Sequence, residues 1–285
     1  MSIDLQQVLQ YLQSAGLLFL SLSLGVILPF SALTILIVYL SSLALKRIIQ
    51  IGGFRLLYLT AWLGVPIHEV SHAIAALIGG HRIRKFAPFK PNPKSGQLGV
   101  LETTYDDKKW WARWVGNAVI PVAPLFGGTV VLFLLVRILW PQFTMVAYTR
   151  FSPPSALHIE NVNAWQKYFA NMQLQLSEFI GQLWQPELFN RWETYVIGYA
   201  MLCIALHLSP SITDWKNFRK PLIVIILVLL IGCLVLTFFP SMLPTLQLVT
   251  IHIVTWFLPV WLFVTLMVVI ATAPIIIITQ FFIKR

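Results

Sequence analysis

Two histidines and a glutamate form the most chemically distinctive group in the sequence. Within GVPIHEVSHAIAALIGGHRI, residues 64–83, His68 and His72 are four residues apart and Glu69 follows the first of them. On an α-helix, residues four apart lie on the same face, so both imidazoles can reach one metal ion. Glu69 projects beside them, where its carboxylate can act as general base for a water molecule activated by that metal. The spacing indicates a zinc hydrolase site.

The motif lies inside an apolar run, residues 56–79, which is an unusual place for an ionisable group. Glu69 is the only carboxylate well inside such a run, and an unpaired acid in the bilayer core costs about 2.5–3.5 kcal/mol or more. A divalent metal bound beside Glu69 would offset that cost. The alternative is that His68 and His72 line a polar seam between helices, with hydrogen bonds to Ser71 or to the main chain.

The composition of the chain is that of a polytopic membrane protein. Of its 285 residues, 58% are hydrophobic and only 11% are charged, against roughly 25% charged residues in soluble domains. The net charge is +10, but the basic residues cluster in short loops, as in cytoplasmic loops that face anionic lipid. We therefore expect the lipid bilayer as a partner, and no nucleic acid.

Six apolar runs predict about six transmembrane helices in an all-α, multi-pass membrane protein. The first contains Gly25 and Pro29, which favour a tilt or kink, and the last contains Pro259 and Pro274, so it forms one or two spans. The runs cover residues 16–45, 56–79, 115–140, 194–208, 221–240 and 248–283.

The distribution of basic residues predicts the orientation. Six spans place both termini on one side, together with residues 80–114 and 215–220. Thirteen of the 20 lysines and arginines lie on that side and seven on the other. The positive-inside rule therefore places both termini and the 80–114 loop in the cytoplasm, with the chain in the cell (inner) membrane.

Two stretches between the runs are not predicted to span. Residues 81–114 contain short alternating pieces separated by Pro and Gly, which predict a small membrane-associated β-hairpin or extended loop, with His81 in a loop. Residues 141–193 are polar and rich in Gln, Asn and Trp. They predict a loop and an interfacial amphipathic helix on the outer side, with Trp165, Trp184 and Trp192 at headgroup level.

A zinc hydrolase needs a third protein ligand, usually from a distant part of the chain. A helix advances about 18 Å from Leu56 to His68, so the histidine pair lies in the cytoplasmic part of an inward-running span. The run at 194–208 follows the same direction and leads into ALHLSPSITDWKN, which brings Asp214 and His207 to a similar depth. We expect Asp214 as the ligand. His207 is the alternative ligand, or a group that orients a ligand or steadies an oxyanion.

The stretch SPSITD also has the pattern of a capping box, with Ser211 as the N-cap and Asp214 at the third helical position. The two roles of Asp214 are not exclusive, because a carboxylate can accept a main-chain hydrogen bond and bind a metal. Pro210 breaks the preceding helix and re-aims the side chains near the site.

With these residues assembled, the sequence resembles the site-2 protease family of intramembrane zinc metalloproteases. HEVSHAIAALIGGHRIRKF, residues 68–86, is similar to the family's HExxH helix with the small residues, glycine and β-rich segment that follow. GNAVIPVAPLFGG, residues 116–128, is similar to the Gly/Pro-rich start of the next helix. HLSPSITDW matches the Asn-x-x-Pro and Asp-Gly motif in part: the proline matches, His207 replaces Asn, Asp214 is one residue early and a tryptophan replaces Gly.

The resemblance implies one zinc ion per chain, held by His68, His72 and Asp214, with Glu69 as general base. It implies a zinc metalloendopeptidase that cleaves membrane protein substrates in or near their transmembrane segments. It also implies a three-helix metalloprotease core. The predicted organisation has three parts: an N-terminal helix and linker at 1–55, a core at 56–220 and C-terminal helices at 221–285. The core contains helices at 56–79, 115–140 and 194–214, a β-rich loop at 81–114 and an outer-side segment at 141–193.

Two other classes of function stay open at this point. The chain could be a catalytically inactive membrane scaffold or metal-binding regulator that retains the HExxH site. An enzyme requires Glu69, whereas a scaffold tolerates its replacement. A transporter is less favoured, because the sequence lacks repeated halves and paired broken helices.

Overall fold

The computed structural model describes residues 27–139, 185–211 and 243–283, Asp214, and isolated positions elsewhere. Residues 16–26 of the first predicted run, with Gly25, lie outside the described residues. So do Trp165, Trp184, most of the polar stretch at 141–193 and most of the run at 221–240. The described chain divides into two compact units, and every contact discussed below for the site lies in the unit made of residues 35–143, 187–223 and 264–285. In chain order the elements are α1 Leu28–Ile78, β1 Arg82–Ala87, β2 Val100–Thr104, a π-helical turn Ala112–Gly116, α2 Asn117–Leu139, α3 Pro186–Phe189, α4 Trp192–His207 and α5 Leu243–Ile283.

Helix α1 is too long for one membrane crossing, and Gly53 divides it. Its 51 residues would extend about 77 Å as a straight helix, against a hydrocarbon core of about 30 Å. Gly53 has φ 62° and ψ −160°, backbone angles that essentially only glycine adopts. Ala44 and Ile48 before it share one buried cluster with Leu57 and Ala61 after it. The two halves of α1 therefore pack side by side as a helical hairpin.

Three helical stretches of the described chain are long and apolar enough to cross a membrane: Leu28–Ile78, Ala112–Ile138 and Val260–Phe282. They confirm the predicted membrane helices in this coarser form. The fourth predicted run, residues 194–208, corresponds to α4, which has 16 residues. The last predicted run is one continuous helix, α5, through both of its prolines. A count of six spans goes beyond these helices and stays a prediction.

The sheet confirms the hairpin expected within residues 81–114. Strands β1 and β2 are antiparallel, with Arg82 opposite Thr104 and Ala87 opposite Val100, and the register shifts between Ile83 and Lys85. The hairpin begins two residues after Gly80, whose φ of 73° lets the chain turn sharply out of α1. It leads the chain back to the π-helical turn and α2.

Small residues bring the helices that carry the site into close contact. A Cβ atom added at Gly64 of α1 would collide with the main-chain oxygen of Cys203 in α4, and one added at Gly127 of α2 would collide with the Ser71 hydroxyl of α1. Close approach of this kind supplies the van der Waals contact that associates helices in a membrane. Helix α1 thus touches α4 and α2 along the segment that contains HExxH.

Candidate metal site

His68 and His72 lie on one face of α1, as their spacing predicts. Their Nε2 atoms are 3.0 Å apart, and their rings meet edge to face with centroids 4.7 Å apart. His72 is buried and His68 is half-buried. The Ser71 hydroxyl between them donates to the carbonyl oxygen of Ile67, one turn back on the same helix, rather than to either imidazole.

Main-chain carbonyl groups from two other helices fix both rings. Nδ1 of His68 lies 2.8 Å from the carbonyl oxygen of His207, at the end of α4. Nδ1 of His72 lies 2.7 Å from the carbonyl oxygen of Ile120, in α2. A carbonyl only accepts, so each Nδ1 carries the hydrogen and each neutral ring presents an Nε2 lone pair. Histidines that bind metals are oriented in this way.

Asp214 joins the histidine pair from beyond the end of α4. Its Oδ2 atom lies 3.5 Å from Nε2 of His72 and 3.9 Å from Nε2 of His68. The same oxygen accepts a hydrogen bond from the main-chain N–H of Ser211 at 2.7 Å, and the Ser211 hydroxyl accepts one from the Asp214 N–H at 3.2 Å. The reciprocal bonds of a capping box and a position beside the histidines therefore coexist in one side chain.

The three donor atoms fit a zinc ion. His68, His72 and Asp214 each offer one metal-binding atom, and these three atoms lie within 4.8 Å of one another. In a tetrahedral site with zinc–ligand distances of about 2.0–2.1 Å, ligand atoms are roughly 3.3 Å apart. The observed separations of 3.0, 3.5 and 3.9 Å lie on both sides of that value. Imidazole and carboxylate together are a donor set that suits zinc.

Without a cation, these three acceptors repel one another. A proton can replace the metal only if one imidazole becomes an imidazolium that donates to the other ring or to Asp214. Burial alone would raise the pKa of the Asp214 carboxyl, but His68 and His72, when one of them is the imidazolium that donates to the carboxylate, hold that pKa well below its ordinary value of 3.8. His68, His72 and Asp214 therefore hold positive charge between them. That charge is either a bound metal ion or a proton on one imidazole.

Glu69 lies next to the donor group without joining it. Gly99, the residue before β2, packs directly on its side chain: a Cβ atom added at Gly99 would lie 2.7 Å from Oε1 of Glu69 and 2.8 Å from Cδ. The Glu69 carboxylate makes no hydrogen bond to another residue of the described chain, and it lines the same cavity as both histidines. It is thus placed to accept a proton from a water molecule in that cavity.

His207 contributes its main chain rather than its ring to the site. The ring Nε2 lies 3.2 Å from the Thr60 hydroxyl, and the ring packs where a Cβ atom on Gly64 would collide with it. The donor group of His68, His72 and Asp214 does not include it. Of the roles that the sequence left open for His207, the geometry favours orienting a ligand, through the carbonyl that holds His68.

A cavity of about 1230 Å³ lies beside the donor group. It is larger than the roughly 300–1,000 Å³ of typical small-molecule pockets. Leu101, Thr103 and Tyr105 line it from one face of β2 and the chain directly after it, and the exposed loop residues Ser95 and Gln97 also contribute. The cavity therefore links the surface of the hairpin loop with Glu69.

His81 is buried and positions the sheet, which its place in the sequence did not indicate. His81 lies between α1 and β1, as expected of a loop residue, yet it is only 4% exposed. Its Nε2 lies 3.0 Å from the carbonyl oxygen of Ala112 in the π-helical turn, and its Nδ1 lies 3.4 Å from the hydroxyl of Thr103 in β2. His81 ties the strand that lines the cavity to the start of α2. The preceding glycine pair was the only local signal of a tight junction.

The chain was compared with protein families, curated proteins and solved structures. No protein-family model, no curated protein and no solved structure matches the chain. The resemblance to site-2 proteases therefore remains a prediction based on the motif residues.

Proposed function

We propose that this protein is an intramembrane zinc metalloprotease that hydrolyses peptide bonds in or near the transmembrane segments of membrane protein substrates. The observation that carries the proposal is the convergence of two imidazole Nε2 atoms and the Asp214 carboxylate beside Glu69. His68, Glu69 and His72 lie on a helix that is long and apolar enough to cross a membrane. The transmembrane segments of neighbouring proteins are the peptides closest to such a site.

The residues divide the chemistry between them. A zinc ion held by His68, His72 and Asp214 would polarise the scissile carbonyl and lower the pKa of a coordinated water molecule toward about 7. The Glu69 carboxylate accepts the proton of the attacking water and then donates it to the leaving amide nitrogen. The carbonyl of Ile120 keeps the His72 ring in its binding tautomer.

The sheet offers a place for the substrate backbone. A transmembrane substrate is helical, and its own hydrogen bonds shield its carbonyl groups, so a short segment must unwind before cleavage. Strand β2 pairs with β1, and within the described part of the chain its other edge has no partner strand. We propose that the unwound segment adds to this edge as a further strand, which brings it into the cavity beside Glu69.

We also propose the topology in which this site works. The six apolar runs predict the six spans, and the excess of basic residues on one side predicts that both termini lie in the cytoplasm, with the chain in the cell (inner) membrane. In that orientation the histidine pair and the hairpin lie near the cytoplasmic surface. Water for hydrolysis would then enter from the cytoplasm.

The test is cleavage of single-span fusion proteins in proteoliposomes by the wild type and by Glu69→Gln. We expect Glu69→Gln to retain zinc and to cleave about 10²–10⁴ times more slowly, because it lacks the base. Full cleavage by Glu69→Gln would refute the mechanism. A wild type that binds zinc and cleaves no fusion protein would favour the alternative, an inactive membrane scaffold or metal-binding regulator.

A further inference from the structure

One cationic side chain lines the cavity and is not needed for hydrolysis. Arg113 lies in the π-helical turn before α2, and no other lysine or arginine of the described chain lines this cavity. Two carboxylates, Glu69 and Asp214, line it as well. Any acidic group that entered the cavity would therefore find one fixed positive charge besides the metal site.

The guanidinium of Arg113 is available to such a group. Among the described residues it forms no ion pair with a carboxylate. Its Cζ atom lies 5.7 Å from the centroid of the Trp114 ring, a cation–π distance that restricts the side chain without neutralising it. A guanidinium placed in this way can bind a carboxylate through two parallel hydrogen bonds.

The helix sets the distance between Arg113 and the metal site. Arg113, Asn117 and Ile120 all line the cavity, at the spacing of one helical face. The carbonyl of Ile120 holds His72, so it marks the position of the metal site on this face. Ile120 follows Arg113 by seven positions, which span about 10 Å at the rise of an α-helix. An extended peptide covers that distance with about three residues.

We propose that Arg113 is a specificity-determining residue, which selects substrates with an aspartate or glutamate about three residues from the scissile bond. This inference rests on the proposed function. The carboxylate of the substrate binds the guanidinium while the extended segment lies in the cavity, so the charge fixes which peptide bond reaches Glu69. Arg113 is exposed, so an anionic lipid headgroup offers it a similar charge, but its place in the lining of the cavity favours the substrate.

The experiment uses the full-length protein in proteoliposomes with a series of single-span fusion proteins. Each fusion carries Asp, Asn or Lys at one of the six positions on either side of the cleaved bond, which is located by mass spectrometry. We expect the wild type to cleave the Asp fusion about tenfold more efficiently than the Asn fusion at a position three or four residues from that bond. Arg113→Gln should lose this preference and keep both its zinc content and its kcat/KM on the Asn fusion. Arg113→Glu should prefer Lys at the same position.

Arg137→Gln is the matched control, because Arg137 is an exposed arginine toward the other end of α2 and does not line the cavity. It should retain the preference for Asp. Equal cleavage of Asp and Asn fusions by the wild type, or an unchanged preference in Arg113→Gln, would overturn the proposal for Arg113. So would an Arg113→Gln that cleaves all fusions more slowly, in proportion to the anionic lipid content, since that indicates headgroup binding. A wild type that cleaves no fusion at all would overturn the protease proposal together with this one.

Discussion

Replacing Gly99 by alanine should displace the base while leaving the metal site intact. The added Cβ atom would lie 2.5 Å from Cγ and 2.7 Å from Oε1 of Glu69, whereas ordinary contact begins at 3.4 Å. The backbone of Gly99 is not in the left-handed region, so alanine adds no backbone strain. The flexible Glu69 side chain must therefore move by roughly 0.7–0.9 Å. Because a shift of about 1 Å in a reacting group costs about 10²-fold in rate, we expect kcat to fall by about 10- to 100-fold.

Three measurements on purified Gly99→Ala test this reasoning: kcat on a cleaved fusion protein, zinc content and thermal unfolding. The last two should match the wild type, because the atoms that move belong to the end of one side chain. Gly96→Asn is the control from the same loop, since nothing lies within 4 Å of a Cβ atom there and its φ of 72° suits asparagine. It should retain the wild-type kcat. A Gly99→Ala protein with wild-type kcat, or one that lost zinc, would refute the placement of Glu69 under Gly99.

Three further predictions concern the ligands and the helix contacts. Asp214→Asn should weaken zinc binding by more than about 100-fold, because loss of a residue that only hydrogen-bonds to a metal ligand already costs up to about that factor. Ser211→Ala should keep zinc and lower the stability by about 1 kcal/mol. Chelator competition measures both affinities, and equal values would contradict the role of the carboxylate. His207→Ala should keep zinc, because its carbonyl remains; zinc loss in elemental analysis would show that the ring is a ligand. Gly127→Ala should lower the stability by about 1–3 kcal/mol through overpacking, and Ser71→Gly in the same chain should recover part of the loss of Tm. No recovery would contradict the contact.

The sequence was sufficient for the parts of the site that depend on residue type and local spacing. The separation of His68 and His72 sets their shared face on any helix. The reasoning from parallel spans brought Asp214 to the same depth, and the structure places its carboxylate beside the imidazoles. The turn residues within 81–114 were enough to predict a β-hairpin or an extended loop, and the structure has the hairpin.

Contacts made by the main chain could not be predicted in the same way. The carbonyls of Ile120 and His207 hold the imidazoles, but every residue has a carbonyl and the sequence does not mark these two. The packing of Gly99 on Glu69 depends on how the hairpin folds back over α1. Gly53 illustrates a third limit: the apolar runs predicted a break between residues 45 and 56, but nothing in their pattern shows that the chain turns at Gly53 rather than at Gly52.

The zinc content of the detergent-purified wild type and of His72→Ala, measured by elemental analysis, tests the central claim most directly. The account predicts about one zinc per chain in the wild type and almost none in His72→Ala, with both proteins folded. A folded wild type that takes up no zinc from excess would contradict it, and would mean that His68, His72 and Asp214 share a proton rather than a metal ion.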